Sequence, residues 1–167
     1  MEKYLQQQKT DCIKIVLFGP ESTGKTSLAV ELAKHYKTLF VKEFAREFLQ
    51  KKMDEQNKVC EIDDLIPIAI GQMNSENILS KKANRILFCD TDLLTTATYS
   101  RLYFNNFCDP VIDKYSKENK YDLYLLLDID IPWVKDDLRD RPNDRKLFLE
   151  KFKDCLLYTS DAADDLV

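Results

Sequence analysis

The stretch that decides the fold reads CIKIVLFGPESTGKTSLA over residues 12–29. Its first part, Cys12–Phe18, is short, rich in β-branched side chains and almost wholly apolar, which indicates a strand covered on both faces. Residues 19–26 match the pattern G-x-x-x-x-G-K-[ST], and apolar side chains recur at helical spacing after Lys25. A strand, a loop of this pattern and a helix, in this order, are typical of a P-loop that binds nucleotide phosphates.

The residue types of this loop predict how it binds a nucleotide. Gly19 and Gly24 let the backbone curl, so that its N–H groups and the positive end of the helix face phosphate oxygens. Lys25 supplies a positive charge for the β- and γ-phosphates, and the hydroxyl of Thr26 suits Mg²⁺. We therefore predict ATP and Mg²⁺ as cofactors. The predicted nucleotide-binding residues are Gly19, Pro20, Glu21, Ser22, Thr23, Gly24, Lys25, Thr26 and Ser27.

Further strands and helices alternate along the chain. Short apolar runs predict strands at residues 38–42, 85–90 and 121–128. Helical spacing of apolar side chains predicts helices over residues 43–50, 63–83 and 93–104. The polar stretch Lys51–Glu61 is expected to be a loop. This alternation predicts the α/β, three-layer fold of the P-loop NTPases, with helices on both faces of a parallel sheet and ligands at the strands' carboxyl ends.

Carboxylates stand at the ends of the predicted strands. Asp90 ends the third strand, where an acid can orient Mg²⁺ directly or through water, and Asp92 follows two residues later. Glu43 follows the second strand, where it could accept a proton from an attacking hydroxyl or could be an ordinary acid at a helix N-terminus. We predict Thr26 and Asp90 as the Mg²⁺ ligands. Position alone leaves Glu43, Asp90 and Asp92 open as the catalytic base.

Three further features are candidates for substrate contacts. Arg46 lies one helical turn after Glu43, so the two could form a surface ion pair or a substrate clamp. A polar segment after the fourth predicted strand contains Arg139, Arg141 and Arg145. This clustering favours a lid that closes over phosphates, with a solvated charged loop as the alternative. Trp133 could stack on an aromatic or cationic ring, although a single aromatic residue is more often part of the core.

Composition argues against several classes of function. The chain has 167 residues, with 25 Lys and Arg against 29 Asp and Glu, and no basic run that indicates nucleic-acid or membrane binding. No apolar run has the form of a signal peptide or reaches the roughly 20 residues that span a bilayer. We therefore predict one cytoplasmic domain with a small-molecule partner; its oligomeric state stays open. The five cysteines are expected to be reduced thiols rather than zinc ligands.

Six segments together resemble the kinase domain of NadR-type nicotinamide riboside kinases, which are P-loop NTPases described as AAA-type ATPases. They read GPESTGKTSLA, KEFAREFL, IAIGQ, ILFCDTDLLTT, YDLYLLLDIDIPWVKDDLRD and the region of Arg145. The resemblance covers most of residues 1–154 and implies a fold similar to that of nucleoside kinases. It implies transfer of the ATP γ-phosphate to the 5′-hydroxyl of nicotinamide riboside, which forms nicotinamide mononucleotide for NAD synthesis.

The resemblance also implies roles for particular residues. Analogy with nucleoside kinases favours Glu43 as the base. Gln72 lies where such kinases often contact the base of the nucleoside, and Trp133 is a candidate wall for the nicotinamide. The predicted catalytic residues are Lys25, Glu43, Asp90, Arg139 and Arg141. The predicted substrate-binding residues are Glu43, Arg46, Gln72, Asp92 and Trp133.

The last part of the sequence differs in kind. Residues 155–165 read CLLYTSDAADD, which resembles the translated sequence of an adapter used to prepare sequencing libraries. We therefore predict a P-loop kinase domain over residues 1–154, C-terminally truncated, and a non-native tail over residues 155–167.

Other functions stay open. Another nucleoside, including a deoxynucleoside, could be the acceptor, because only the acceptor pocket would differ. An ATP-binding regulatory ATPase, whose arginine-rich segment contacts a protein partner, would use the same loop. A truncated chain could also fail to fold and be inert.

Overall fold

The computed structural model describes residues 1–164, and its sheet has four parallel strands. The strands are β1 (Ile13–Phe18), β2 (Leu39–Val41), β3 (Ile86–Asp90) and β4 (Leu123–Leu126). They lie in the order β2-β3-β1-β4, with Ile13 opposite Ile86 and Ile15 opposite Leu123. This arrangement confirms the predicted α/β fold and brings the carboxyl ends of the strands to one edge of the sheet.

Helices connect these strands. They are α1 (Lys25–His35), α2 (Phe44–Gln56), α3 (Leu65–Ser80), α4 (Leu93–Tyr103), α5 (Pro110–Glu118) and α6 (Arg145–Asp164). Short 3-10 turns lie at Glu2–Tyr4 and Ile62–Asp64. α1, then α2 with α3, then α4 with α5 form the crossovers between successive strands, because parallel strands cannot be joined by a tight hairpin.

The helices cover both faces of the sheet, as the three-layer prediction requires. On one face, α1 packs against the strands, and the ring of Tyr36, just after α1, lies 5.7 Å from that of Phe88 in β3. On the other face, β1 packs with α3, α4 and α6, and the ring of Phe18 lies 4.9 Å from that of Phe152 in α6. Because side chains alternate along a strand, the apolar run of β1 is buried from both sides.

The expected loop at Lys51–Glu61 is wrong over its first half, because α2 continues to Gln56. These residues are mostly good helix formers but lack the apolar periodicity that predicts a helix from sequence. Lys52 ties the end of α2 to the next segment, since its amine donates to Glu61 at 2.6 Å and to Asp64 at 2.5 Å. The helix predicted to start at residue 63 starts at Leu65, after a 3-10 turn. α5 and α6 were not predicted.

α6 continues past residue 154 without a break. Cys155 and Leu156 pack beside the buried cluster that contains Phe152. Of the predicted tail, residues 165–167 lie outside the described residues. The division of the chain at residue 154 therefore stays a prediction.

Three general features of the chain concern its cysteines, metal-binding groups and membrane-spanning helices. All five cysteines are free thiols. Within residues 1–164 no three His, Cys, Asp or Glu side chains are grouped to hold a metal ion. Among the same residues no helix has the length and apolarity needed to cross a membrane.

Candidate active site

The P-loop curls between the end of β1 and the start of α1. Gly19 has a φ of +143°, and a Cβ there would lie 2.9 Å from the backbone oxygen of Leu127, so glycine is required. The Lys25 amine donates to the backbone oxygen of Pro20 at 2.6 Å, and the Thr23 hydroxyl donates to the same oxygen at 2.9 Å. Lys25 is 8% exposed, and burial lowers the pKa of its amine. The loop therefore forms a curved backbone cradle with its cation folded inward.

Thr26 and Asp90 meet at the start of α1. The Thr26 hydroxyl donates to Oδ2 of Asp90 at 2.6 Å, whereas Oδ1 is buried and has no hydrogen-bond partner among residues 1–164. Burial raises the pKa of Asp90, against the lowering effects of Thr26 and Lys25. A free carboxylate oxygen beside a hydroxyl suits a hard divalent cation, which prefers oxygen ligands and shares them with phosphates and water. These two residues could therefore hold Mg²⁺.

Glu43 lies next to this pair. It is the residue before α2, but within the described part of the chain its side chain makes no hydrogen bond that caps the helix. Burial raises the pKa of Glu43, Lys25 opposes this shift, and Asp90 adds to it. The three charged groups therefore share one environment. A carboxyl with a raised pKa near phosphate-binding groups is suited to proton transfer.

A cleft of about 780 Å³ opens between α1, β2 and α2. Thr26, Glu43, Arg46 and Asp90, four of the predicted site residues, line it. The cleft lies at the carboxyl ends of β2 and β3, which is the edge where the parallel fold predicts a ligand. The structure thus brings the predicted metal ligands and the predicted base into one cavity.

Residues 129–144, in the connection between β4 and α6, lie over the P-loop, and we call them the lid segment. The backbone N–H of Val134 donates to the Ser22 hydroxyl at 2.9 Å. Arg145, at the start of α6, donates to the backbone oxygens of Ser22 at 3.0 Å and Ile131 at 2.8 Å. Its role is therefore to fasten the lid segment to the P-loop backbone in this arrangement.

Asp136 joins the lid segment to α2. Its carboxylate forms an ion pair with Arg46, and the Nε of Arg139 lies 3.3 Å from Oδ2 of the same carboxylate. Partial burial raises the pKa of Asp136, but the N–H of Leu138 and the Arg46 guanidinium outweigh it, so the pKa lies below its usual value. Arg46 is thus paired with an acid of the lid segment rather than with Glu43, and a contact of Arg46 with substrate stays a prediction.

Glu21 connects the P-loop to Arg139 and Arg141 of the lid segment. Burial is the main cause that raises the pKa of Glu21 to about 7; Asp140 adds to the shift, while Arg139 and the N–H of Arg141 oppose it. Its Oε1 is buried and unpaired in the described chain. The nucleotide-binding loop and the lid segment therefore share a carboxyl that titrates close to neutral pH.

Arg139 and Arg141, the two lid arginines with predicted catalytic roles, have different neighbours. The Arg139 guanidinium donates to the backbone oxygen of Val134 at 2.8 Å and belongs to the charged surroundings of Lys25. Arg141 instead lies over the ring of Tyr103, 5.4 Å from its centroid, and 3.4 Å from the carboxylate of Asp144. Of these two side chains, that of Arg139 belongs to the surroundings of Lys25 and that of Arg141 does not; the catalytic roles of both arginines stay predictions.

Asp92 does not line the cleft. It is 1% exposed and caps α4: its Oδ1 accepts the backbone N–H of Thr95 at 2.9 Å. Its Oδ2 accepts the hydroxyl of Tyr124 at 2.6 Å, and burial raises its pKa to about 6. Thr91, between Asp90 and Asp92, has a φ of +75°, which is rare for a β-branched residue. This turn sends the two acids to different surroundings.

Gln72 and Trp133 also lie outside the lining of the cleft. Gln72 is 2% exposed; its Oε1 accepts the backbone N–H of Phe44 at 2.9 Å, and its Nε2 has no partner among the described residues. Trp133 is half-buried in the lid segment, and its indole N–H is likewise unpaired within residues 1–164. Their predicted contacts with substrate stay predictions.

Sequence reasoning missed two residues, Asp136 and Gly71, that contact the residues around Glu43. Asp136 stands in an acidic run with Asp137, where nothing in the sequence distinguishes it from a solvated charge. Gly71 packs against the ring of Phe44. It lies inside a helical pattern, and an isolated glycine there is the signal that could have pointed to close packing.

Comparisons with known proteins place the chain in a family. The AAA domain family (AAA_28) matches residues 14–159. Two relatives, each called trifunctional NAD biosynthesis/regulator protein NadR, come from Salmonella typhimurium strain LT2 and Escherichia coli strain K12. Each is 31% identical to this chain over an alignment of 139 residues, and the match covers 80% of the chain and 33% of the relative. The chain spans about a third of the length of these relatives.

Two solved structures have a similar fold. One is a NadR protein in complex with NR, with a TM-score of 0.75 and 27% identity, covering 88% of this chain and 43% of that one. The other is a NadR protein in complex with NAD and AMP-PNP, with a TM-score of 0.72 and 27% identity, covering 89% and 42%. With the P-loop and the parallel sheet, the match over most of its length shows that this chain belongs to the AAA domain family of P-loop NTPases and is similar to NadR.

Proposed function

We propose that this chain transfers the γ-phosphate of ATP to the 5′-hydroxyl of nicotinamide riboside and so forms nicotinamide mononucleotide for NAD synthesis. The observation that carries the proposal is that Thr26, Asp90 and the free carboxyl of Glu43 line one cleft beside the P-loop. Similarity to NadR proteins, one in complex with NR and one with AMP-PNP, supports a nucleoside acceptor and a nucleotide donor.

The chain has a group for each part of the transfer. Glu43 accepts the proton of the 5′-hydroxyl, whose oxygen attacks the γ-phosphorus while the bond to the β-phosphate oxygen breaks and ADP leaves. Burial raises the pKa of Glu43, which makes it a stronger base than an exposed carboxylate. Lys25 exchanges the Pro20 carbonyl for phosphate oxygens, and Arg139 neutralises charge on the transferred group.

Thr26 and Asp90 are the residues that would hold Mg²⁺. The ion, when bound, neutralises charge on the nucleotide phosphates. The unpaired Oδ1 of Asp90 and the adjacent hydroxyl give it two oxygen donors at the edge of the cleft. The lid segment lies over the P-loop, where it would exclude water from the reacting phosphate.

A kinase for another nucleoside is the second candidate within the enzymes, because the same phosphate machinery would serve it. A regulatory ATPase would need no acceptor, and its lid segment would contact a protein partner. An open cleft beside Glu43 favours an acceptor that enters the site, and so favours the kinase.

The test is an assay of ATP- and Mg²⁺-dependent phosphorylation with nicotinamide riboside, uridine, adenosine and their deoxy forms as acceptors. Nicotinamide mononucleotide should form from the unmodified chain and not from Lys25→Ala, whereas Glu31→Gln, on the exposed face of α1, should behave like the unmodified chain. Preferred phosphorylation of another nucleoside would reassign the acceptor. ADP formed at the same rate without any acceptor would replace the kinase by an ATPase.

A further inference from the structure

The start of α2 is held by a different helix, α3. The first N–H groups of a helix lack partners within the helix, and the side chain of the preceding residue usually accepts from one of them. Glu43 occupies that position, yet among the described residues its side chain makes no such bond. Oε1 of Gln72, which lies in α3, accepts the N–H of Phe44 instead, at 2.9 Å. Gln72 therefore caps the N-terminus of α2 in place of Glu43.

Gly71, the residue before Gln72, leaves room for the ring of Phe44. A Cβ on Gly71 would lie 2.3 Å from both Cε1 and Cζ of Phe44, so any side chain there would displace the ring. Glycine inside a helix is less favourable than alanine, so α3 gives up helix stability at the position where the ring meets its backbone. Two consecutive residues of α3 thus contact the backbone and the side chain of the residue that follows Glu43.

We propose that Gly71 and Gln72 form a socket that positions the carboxyl of Glu43 for the phosphoryl transfer by holding Phe44. The socket acts in two ways. It fixes the backbone at the start of α2, and it supplies the cap, which leaves the Glu43 carboxyl free to lie with Lys25 and Asp90. Gly71 and Gln72 are positioning residues, because they act through Phe44. This inference rests on the proposed function, in which Glu43 is the base.

Direct contact between Gln72 and the acceptor is the competing explanation, since its Nε2 is unpaired in the described chain. The two explanations differ at Gly71, which has no polar side chain to offer a substrate. If the socket acts through Phe44, displacing the ring will slow the reaction although every polar group of the site remains. If Gln72 only binds substrate, adding a methyl group at Gly71 will leave kcat unchanged.

The first experiment compares Gly71→Ala, Phe44→Leu and the double variant, with Asn74→Ala on the exposed side of α3 as the matched control. Gly71→Ala should lower kcat at least roughly tenfold, because small misplacements of catalytic groups have effects of that size or larger. The KM for nicotinamide riboside and the affinity for AMP-PNP should change much less. Phe44→Leu in the Gly71→Ala background should restore most of kcat, because the smaller side chain makes room for the methyl group.

Thermal melting of each variant separates positioning from folding. Gly71→Ala with an unchanged melting temperature and an unchanged kcat would overturn the socket. A double variant that melts like the unmodified chain but is no faster than Gly71→Ala would overturn it as well.

A second experiment asks whether the effect passes through Glu43. In a Glu43→Gln background, Gly71→Ala should cause no further loss of kcat, because the group that it misplaces has already been removed. If the double variant loses kcat by the product of the two single losses, Gly71 does not act through Glu43 and the socket is overturned, while Glu43 remains the base. If Glu43→Gln itself retains full activity, the assignment of the base fails, and if the unmodified chain phosphorylates no acceptor, the proposed function fails.

Discussion

The phosphate side of the cleft, residues 19–26, is made of neighbours in sequence, whereas the acceptor side, around Glu43, is assembled from distant parts of the chain. In the P-loop, the Lys25 amine and the Pro20 carbonyl that it contacts are five residues apart. The glycines that permit this curl lie within the same eight positions. The backbone of a short segment therefore carries almost all the information that the phosphate side needs.

On the acceptor side the contacts are long-range. The backbone N–H of Phe44 donates a hydrogen bond to Gln72, 28 residues away, and Arg46 forms an ion pair with Asp136, 90 residues away. These contacts exist only after the sheet, α3 and the lid segment have packed. The difference teaches that such a site combines a local part, which a motif specifies, with a part that depends on the whole fold.

Glu43→Gln is expected to have the largest effect on kcat and tests whether the acceptor side and the phosphate side act separately. The amide keeps the size of the side chain but cannot accept the proton of the acceptor, so kcat should fall by a factor of about 10²–10⁴. Affinity for AMP-PNP should stay the same, because the phosphate side is intact. Steady-state kinetics with nicotinamide riboside, and titration with AMP-PNP, measure the two sides separately.

Glu31→Gln provides the control, since it removes an exposed carboxylate of α1 outside the cleft. A loss of nucleotide affinity as large as the loss of kcat would show that the two sides are not separable. It would also make Glu43 a part of the phosphate machinery.

The sequence predicted the local side almost completely. The P-loop pattern, the strand before it and the helix after it gave the fold class, the position of Lys25 and the pairing of Thr26 with an acid at the end of β3. The sequence places Glu43 at a strand end. It does not show that Gln72, from another helix, accepts the N–H of Phe44 and so takes the place of Glu43 as the cap of α2. Separation of Asp90 from Asp92 depends on the left-handed turn at Thr91, a strained conformation that propensity argues against.

Tyr124→Phe tests whether Asp92 belongs to either side of the cleft. The change removes the hydroxyl that Oδ2 of Asp92 accepts, and leaves a buried carboxylate oxygen without that partner. The free energy of unfolding at pH 8 should fall by about 1–3 kcal/mol, while kcat of the folded protein stays the same. Denaturant titration gives the first quantity, and Tyr36→Phe, at an exposed ring, is the control. A drop in kcat without loss of stability would instead return Asp92 to the substrate site.

Asp136→Asn tests the connection between the acceptor side and the lid segment. The amide weakens the ion pairs with Arg46 and Arg139, which are partly exposed, so the effect on kcat/KM should be about tenfold or less. Salt should reduce kcat/KM of the unmodified chain toward that of the variant, because it screens the same charges. Asp130→Asn, in the same segment, is the matched control. Equal salt dependence in all three proteins would show that Asp136 does not couple the two parts.

The smallest effect concerns Glu21, where the local side meets the lid segment. Burial, with a smaller effect from Asp140 and Asp136, raises the pKa of Glu21 to about 7. Arg139 and the N–H of Arg141 lower it in part. Lys25 lies in the same surroundings. A carboxyl whose pKa is raised from 4.5 by folding is favoured in its neutral form, so its ionisation removes stability as the pH rises from 4.5 through 7.

Glu21→Gln keeps the neutral form at every pH, so its stability relative to the unmodified chain should increase across that window. The gain should reach about 1 kcal/mol at pH 8, reduced by solvent screening, and should be near zero at pH 4.5. Denaturant titrations at pH 4.5, 6 and 8 measure it, with Glu31→Gln as the exposed control. If the difference in stability between Glu21→Gln and the unmodified chain stays constant over this range, burial and the acids of the lid segment do not raise the pKa of Glu21. The P-loop would then be as independent of distant residues as its sequence suggests.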